Sequence, residues 1–303
     1  MRTRLKKLLL PISTICLVLY AIFLSDKLGK FVIEGLHITI NYVLPTGLPF
    51  MIISDLYRSL ISTCNGGIYE RIFCGIFGLP KEALGCFLCG NICGFPIGAI
   101  GAGELYKSRI IDKKSAERLI PISNNPSLSF VVGGVGLGIY NDIKAGVILA
   151  LSVILSAAMT GVIFRGKNKT DKENVNFTSH KFNLVESVKK CGLAFVSIAS
   201  FIMVFSVLAG ILETLLPDFM KPVVALFLEV TRGARFFSSA KIALHLSISL
   251  SAFTLGFGGI SVLMQSMALT SDLDISFSPY VFLKLTQGIF AFFISYCICI
   301  FIY

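Results

Sequence analysis

The sequence has few charged residues for its length. Only 15% of its 303 residues are Asp, Glu, Lys or Arg, whereas an average soluble protein carries about 25%. Such a chain cannot cover an ordinary globular surface, which excludes a secreted disulfide scaffold, a disordered protein and a nucleic-acid-binding domain. Hydrophobic residues make up 55% and the mean hydropathy is +0.82. This composition predicts an all-α, polytopic membrane protein whose spans each need about 20 apolar residues.

Motifs for catalysis, nucleotides and metals are missing as well. The sequence has no H-E-x-x-H pair, no G-x-x-x-x-G-K-[ST] phosphate loop and no Ser nucleophile elbow. Cys86, Cys89 and Cys93 have metal-like spacing, but they lie in an apolar run without a nearby fourth ligand. We therefore expect no enzymatic activity, no catalytic residue, no metal and no cofactor.

The excess of basic residues indicates membrane topology. The net charge is +10, and Lys and Arg are concentrated at residues 107–118 and 165–190. The positive-inside rule places such connections in the cytoplasm. The apolar run at 8–24 follows a basic N-terminus and predicts a first span with its N-terminus in the cytoplasm. The acidic 271–278 loop is expected on the opposite side.

The number of crossings predicts two halves in opposite orientations. Residues 58–107 must begin and end on the cytoplasmic side, and residues 222–264 on the other, so each region is expected to contain a re-entrant or broken helix. We interpret this order as an inverted-topology repeat. Its parts are an N-terminal transmembrane anchor (1–35), a first repeat (36–143), a connecting span and basic linker (144–191) and a second repeat (192–303). A weak echo sets 95–98 against 258–261 and Asn124 opposite Gln287.

Helix breaks inside apolar runs mark the candidate site of the first half. Asn124, Asn125 and Ser127 surround Pro126, where Asn125 suits an N-cap and Pro126 the first helical position. Adjacent carboxamides offer donors and acceptors to a small polar ligand, or else clamp two helices together. A second break either lines the site or allows close helix packing, and its residues are Gly94, Phe95, Pro96 and Gly98.

The second half adds a predicted hairpin tip, a glycine break and polar residues near them. The candidate substrate-binding residues are Thr231, Arg232, Gly258, Gly259, Ser261, Gln265, Lys284 and Gln287. Glu229 and Arg232 are spaced to pair across one helical turn, unless they lie in a surface loop. Lys284 either snorkels to the membrane interface or neutralises an anionic ligand. Glu104 and Glu229 are candidate ligands for a coupling cation, H+ or Na+, although Glu104 also suits an interfacial position.

With these residues assembled, the chain resembles the nucleoside-recognition Gate domain family. The first-half resemblance rests on Gly94-Phe95-Pro96-x-Gly98, Glu104-Leu105-Tyr106 and Asn124-Asn125-Pro126-Ser127. Within that family, the second half resembles the YlbJ-like sporulation integral membrane proteins through Leu228-Glu229-Val230-Thr231 and Gly258-Gly259-Ile260-Ser261. The basic residues Arg232 and Arg235 depart from the pattern.

The resemblance implies a secondary transporter similar to the core of concentrative nucleoside transporters. YlbJ-like proteins are thought to help move dipicolinate, a planar aromatic dianion, from the mother cell across the outer forespore membrane. This implies dipicolinate import toward the forespore, in that membrane or the cell membrane, with Asn124, Asn125 and either Arg232 or Lys284 holding the carboxylates. The residues alone indicate only a small polar solute.

A nucleoside-type transporter and a non-transporting scaffold for spore assembly remain alternatives. The expected partners are the solute, the lipid bilayer and a coupling cation, without nucleic acid, and a homo-oligomer stays open.

Overall fold

The chain forms a helical bundle, without strands in the part that the computed structural model describes, residues 25–61, 67–166 and 182–303. Four membrane-length apolar helices occur there: Ile143–Ile163, Leu184–Leu215, Leu244–Leu269 and Phe277–Ile302. The predicted all-α, polytopic class is therefore confirmed. The predicted first span at 8–24 and most of the basic linker lie outside the described residues.

The described first half consists of short helices followed by one long span. Its helices are α1 (Ser25–Ile38), α2 (Leu44–Ile61), α3 (Ile68–Phe77), α4 (Ala83–Cys93), α5 (Ile97–Lys107), α6 (Lys113–Ser123) and α7 (Ile143–Ile163). A π-helical turn, Thr39–Val43, joins α1 to α2, and a π-helical segment, Phe130–Leu137, follows α6.

The second half begins with the longest helix of the described chain. Its helices are α8 (Leu184–Leu215), α9 (Lys221–Phe227), α10 (Val230–Ser239), α11 (Leu244–Phe257), α12 (Gly259–Leu269) and α13 (Phe277–Ile302). A 3-10 turn, Asp218–Met220, leads into α9. The centre of the bundle is formed where α13 packs against α11 and α7, and the core there is composed mainly of Ala, Val, Ile and Leu.

Polar side chains fix where several helices begin. Asp112 Oδ1 accepts a hydrogen bond from Ser115 N at 2.8 Å at the start of α6. Asp142 Oδ1 accepts one from Lys144 N at 2.8 Å at the start of α7. Such caps satisfy N–H groups that have no partner within the helix. The Asp112 cap therefore marks the boundary between the first hairpin and the broken helix α6, and the Asp142 cap marks the start of the span α7.

The same order of elements occurs in both halves. In the first half, the hairpin α4–α5 precedes α6, which ends at a break (residues 124–127) before the segment Phe130–Leu137. In the second half, the hairpin α9–α10 precedes α11, which ends at a break at Gly258 before α12. A long helix follows each break. This is the order that an inverted repeat requires, and the repeat itself stays a prediction. The proposed echo has the wrong register, because 95–98 lies at a hairpin turn whereas 258–261 lies in the break of a spanning helix.

The turn at residues 270–276 lies at the same end of the bundle as the connection between α5 and α6. Lys113 Nζ is 2.8 Å from Asp274 Oδ2, and Lys107 pairs with Asp272. The hydrogen bond from Lys107 lowers the pKa of the Asp272 carboxyl, and the bond to Asp274 raises the pKa of the Lys113 ammonium. The prediction that this acidic turn lies opposite to residues 107–118 is therefore wrong.

The physical reason is an additional crossing. The apolar run at 236–264 contains the end of the hairpin α9–α10, a short turn, and then α11 and α12, which together traverse the bundle. At the far end, Tyr140 OH forms hydrogen bonds with Ser247 Oγ (2.9 Å) and Ser251 Oγ (2.8 Å), and the Tyr303 hydroxyl donates to Asp142. Residues 222–264 thus change sides, and α13 ends opposite to the 270–276 turn.

Candidate functional site

Lys284 lies wholly inside the bundle. The residue is 0% exposed, and its Nζ donates to three oxygens: Asn124 O at 3.2 Å, Asn125 Oδ1 at 2.8 Å and Gln287 Oε1 at 3.1 Å. The snorkelling interpretation is therefore wrong. All three acceptors are uncharged, and no carboxylate in the described part of the chain forms an ion pair with this lysine. Lys284 is therefore a buried basic side chain without an acidic partner among the described residues.

Asn125 is the centre of the hydrogen-bond network around this lysine. Its Oδ1 also accepts from Gln287 Nε2 at 2.6 Å, and its Nδ2 donates to Asn91 Oδ1 and to Ile122 O, both at 2.9 Å. The Asn91 carboxamide donates in turn to Ile122 O at 3.0 Å. One carboxamide thereby connects α4, the end of α6 and α13.

The tip of the first hairpin packs directly on the break after α6. A Cβ atom on Gly94 would lie 2.5 Å from Ser127 N, and one on Gly98 would lie 2.3 Å from Ser123 O. Backbone atoms cannot yield at such distances, so these two glycines permit the contact. Ser127 Oγ accepts from Phe130 N at 3.1 Å, so the capping role predicted for Asn125 falls to Ser127.

Phe95 and Pro96 occupy the turn between α4 and α5. Phe95 is partly buried and packs against the central apolar core, and Pro96 immediately precedes α5. Both residues therefore shape the tip, and neither contributes to the hydrogen-bond network around Lys284.

Asn124 faces the second half of the chain. Its Nδ2 donates to Ser266 Oγ at 2.6 Å and to Tyr280 OH at 3.0 Å, and the Tyr280 hydroxyl donates to Ser266 Oγ at 3.0 Å. The Asn124 Oδ1 atom is buried and has no hydrogen-bond partner among the described residues. A buried acceptor without a partner costs about 1–3 kcal/mol, so a ligand that donates here would be stabilised.

A narrow cleft leads to these residues from the end of the bundle that carries the 270–276 turn. Glu117 and Thr270 line the cleft near that turn, and Ser266 and Tyr280 line it deeper inside. Ser266 and Tyr280 accept hydrogen bonds from Asn124, the residue immediately before Asn125. The inner end of the cleft is therefore close to the network that holds Lys284.

The break of the second half also adjoins Lys284. Gly258 and Gly259 have positive φ values of 88° and 70°, which favour glycine. A Cβ on Gly258 would lie 3.6 Å from Lys284 Cε. Ser261 N donates to Leu228 O at 3.0 Å, so the tip of the second hairpin contacts this break as the first tip contacts its own.

Gln265 lies one turn further along α12. The residue is 2% exposed, and its Nε2 has no hydrogen-bond partner among the described residues. It therefore offers a second buried polar atom that is open to a ligand.

The charged residues of the second hairpin do not join the lysine cluster. Glu229 caps α10, because its carboxylate accepts from Thr231 N at 3.1 Å and from Arg232 N at 2.6 Å. The Arg232 guanidinium instead pairs with Glu34 Oε2 and Glu213 Oε2, both at 2.6 Å. The predicted side-chain pair between Glu229 and Arg232 is thus replaced by a cap, and Arg232 joins the hairpin to α1 and α8.

Glu104, the other candidate for cation coupling, lies at the margin of the bundle. Its side chain is 40% exposed, and Oε1 is 3.2 Å from Lys190 Nζ. This position agrees with its interfacial interpretation and separates it from the network around Lys284.

Sequence reasoning missed Asn91, Ser266 and Tyr280. Asn91 carried a usable signal, because a single carboxamide inside the apolar run at 83–103 is expensive unless it is paired. Ser266 carried none, since Ser in membrane helices frequently bonds to its own backbone, as Ser266 does to Val262 O. Tyr280 carried none either, since Tyr is common near the ends of membrane helices.

The fold and the buried polar network define an integral membrane protein of the polytopic helical class with broken helices. No protein-family model matches the chain, and no solved structure matches it. The chain is 26% identical over 328 residues to the sporulation integral membrane protein YlbJ of Bacillus subtilis strain 168, which covers 93% of this chain and 80% of that protein. This similarity supports a YlbJ-like family assignment.

Proposed function

We propose that the protein is a secondary transporter of a small anionic solute and has no enzymatic activity. The observation that carries the proposal is Lys284, a fully buried cation whose hydrogen-bond partners are all uncharged. A lysine at the centre of a membrane helix costs about 2.5–3.5 kcal/mol on insertion scales. A bound anion would supply the missing countercharge, so the site favours anions over neutral solutes of similar shape.

Two polar groups of the buried interior, Lys284 Nζ and Gln265 Nε2, offer donors to a dicarboxylate. One carboxylate would replace one of the neutral oxygens that accept from Lys284 Nζ. The other would accept from Gln265 Nε2, which is buried and has no partner among the described residues. Dipicolinate, the solute that the family resemblance implies, is such a dianion, and the similarity to a sporulation membrane protein supports a role in sporulation. Arg232 is excluded from this role, because Glu34 and Glu213 already pair with it.

Access to this site requires a conformational change. Asn124, Asn125 and Gln287 are 0–1% exposed, while the cleft beside Tyr280 opens toward one end of the bundle. We propose that the two halves move relative to each other, as in other inverted-repeat carriers, and that the end with residues 107–118 faces the cytoplasm. The direction would then be from the mother-cell cytoplasm across the outer forespore membrane, toward the forespore.

The test is uptake of labelled dipicolinate into proteoliposomes that contain the purified full chain. Saturable uptake that uridine does not inhibit is the expected result. Lys284→Met, which keeps the apolar chain and removes the charge, should reduce uptake at least tenfold, whereas Lys144→Met, at an exposed lysine near the start of α7, should not. Absence of dipicolinate uptake under every imposed ion gradient would overturn the substrate and favour a non-transporting scaffold for spore assembly.

A nucleoside-type solute is the second candidate. Asn124 Oδ1 is a buried unpaired acceptor and Gln265 Nε2 a buried unpaired donor, a combination that complements the amide edge of a nucleobase. Inhibition of uptake by uridine, with retention of activity in Lys284→Met, would favour this alternative.

A further inference from the structure

The oxygen atoms around Lys284 Nζ form a cage that would suit a free monovalent cation. One is the backbone carbonyl of Asn124 and two are carboxamide oxygens, of Asn125 and Gln287, at 2.8–3.2 Å. Hard cations prefer oxygen ligands of this kind, and carbonyls at broken helices coordinate them in membrane carriers. Three acceptors also match the three N–H donors of an ammonium group. The geometry is therefore that of a charged lysine held by neutral oxygens.

A helix end beside the lysine favours a positive charge. Asn124 is the C-cap of α6, an 11-residue helix, so its carbonyl belongs to the negative end of that helix dipole. Asn124 O is itself an acceptor of Lys284 Nζ, so the C-terminal end of α6 faces the ammonium directly. Gly258, at the break of the second half, packs beside the carbon chain of the lysine, where a Cβ would lie 3.6 Å from Lys284 Cε. The ammonium is thus surrounded by one helix C-terminus and neutral oxygens, and by no carboxylate of the described residues.

We infer that the Lys284 ammonium is a tethered replacement for a dissolved coupling cation at a monovalent-cation site. The protein would then carry its own cation, and solute binding would need no added Na+. The inference about Na+-independent uptake rests on the proposed transport function, whereas the presence of the cation cage does not.

The cage is tested by removing the tether. Purified Lys284→Ala should regain stability in salts of small cations that fit the cage, Na+ or methylammonium, but not in choline chloride at equal ionic strength. At roughly ten times the dissociation constant, binding should raise the midpoint of thermal unfolding by about 2 °C. Wild type and Lys144→Ala should show no difference between these salts. An equal shift in wild type, or no shift in Lys284→Ala, would overturn the inference.

A second variant covers the case in which Lys284→Ala does not accumulate. Lys284→Met fills the same volume without charge and should be recovered, yet should not respond to cations. If Lys284→Met is recovered while Lys284→Ala is lost even when methylammonium is present from solubilisation onward, the cage needs the carbon chain and not the charge, which would overturn the inference.

Uptake then separates this inference from the proposed function. Wild-type dipicolinate uptake should have the same rate with Na+ and with choline outside. A strict Na+ requirement would overturn the tethered-cation role while leaving transport intact. Absence of any uptake together with a cation-dependent Lys284→Ala variant would overturn transport while leaving the cage intact.

Discussion

Lys284 Nζ lies 2.8 Å from Asn125 Oδ1, although the two residues are separated by 159 positions in the chain. This contact joins α13 to the break after α6, beside the second-half break at Gly258, and therefore connects the two halves. Both residues are buried. If one half moves against the other, this hydrogen bond must therefore either break or move together with one of the halves.

Replacing Asn125 with Ala should abolish solute uptake while the protein still inserts and purifies. The change removes the shared acceptor of Lys284 and Gln287 and the donor to Asn91, leaving three buried groups short of a partner. The measurement is uptake per reconstituted molecule. Asn41→Ala is the control, because that exposed carboxamide donates to His37 O, one turn earlier in the chain and far from the site in sequence. Full uptake by Asn125→Ala would remove this residue from the site.

Replacing Gly98 with Ala should destabilise the protein and displace the first hairpin. The added Cβ would lie 2.3 Å from the backbone oxygen of Ser123, and overpacking of this kind typically costs about 1–3 kcal/mol. Thermal unfolding in detergent measures the effect. Gly75→Ala in α3 is the matched control, since no heavy atom lies within 4 Å of its Cβ position, and it should be neutral. Equal midpoints for both variants would contradict the described packing.

Replacing Arg232 with Gln should destabilise the contact of the second hairpin with α1 and α8. The guanidinium is 11% exposed and pairs with Glu213 and Glu34, which are 22% and 34% exposed. Loss of a partner in a buried pair costs about 3–5 kcal/mol, and exposure reduces this to about 2 kcal/mol here. Arg235→Gln is the control, because Arg235 lies 3.9 Å from Glu34 and is 42% exposed. A smaller loss of stability in Arg232→Gln than in Arg235→Gln would refute this ranking.

The corrected topology predicts that residues 113 and 274 label from the same side of the membrane. The sequence has nine Cys, so single cysteines at these positions are introduced into a cysteine-free background and treated with an impermeant maleimide. Lys113→Cys and Asp274→Cys should both react with reagent added to one side of the membrane, whereas Tyr303→Cys should react with reagent added to the opposite side. The double variant of 113 and 274 should also be joined by a short bismaleimide cross-linker, because the tips of the native side chains, Lys113 Nζ and Asp274 Oδ2, are 2.8 Å apart. Labelling of 113 and 274 from different sides would restore the arrangement first predicted from charge.

Replacing Tyr280 with Phe should weaken solute binding more than it changes stability. The hydroxyl binds Asn124 Nδ2 and Ser266 Oγ, both at 3.0 Å, at the inner end of the cleft. Its loss removes about 0.5–1.5 kcal/mol of net hydrogen bonding, which we expect as a several-fold rise in the half-saturating solute concentration. Tyr140→Phe removes a partly buried hydroxyl that also forms two hydrogen bonds, at the far end of the bundle, and should leave that concentration unchanged.

Sequence reasoning located the helix breaks because lipid penalises irregular backbone. Asn124, Asn125 and Gly94 were identifiable as Pro- or Gly-associated breaks in apolar runs, and the structure places all three at the interface of a hairpin and a broken helix. It failed on the 270–276 turn because hydropathy does not distinguish a hairpin followed by a span from one continuous apolar region. The salt bridges of that turn, such as Lys113 with Asp274, depend on the additional crossing by α11 and α12.

By itself the sequence determined the class of protein, since 55% hydrophobic and 15% charged residues fit a lipid environment and not a soluble surface. It also determined the breaks, because Gly and Pro act through local backbone geometry. Only the tertiary structure decided which charge is interior. Lys284 and Arg232 are both basic residues beside apolar helices, yet one is held by neutral oxygens and the other by Glu34 and Glu213. Except for Gln287, the partners of these two side chains lie between 19 and 198 positions away in the chain. Tertiary packing, and not the local sequence, therefore decides which groups surround each basic side chain.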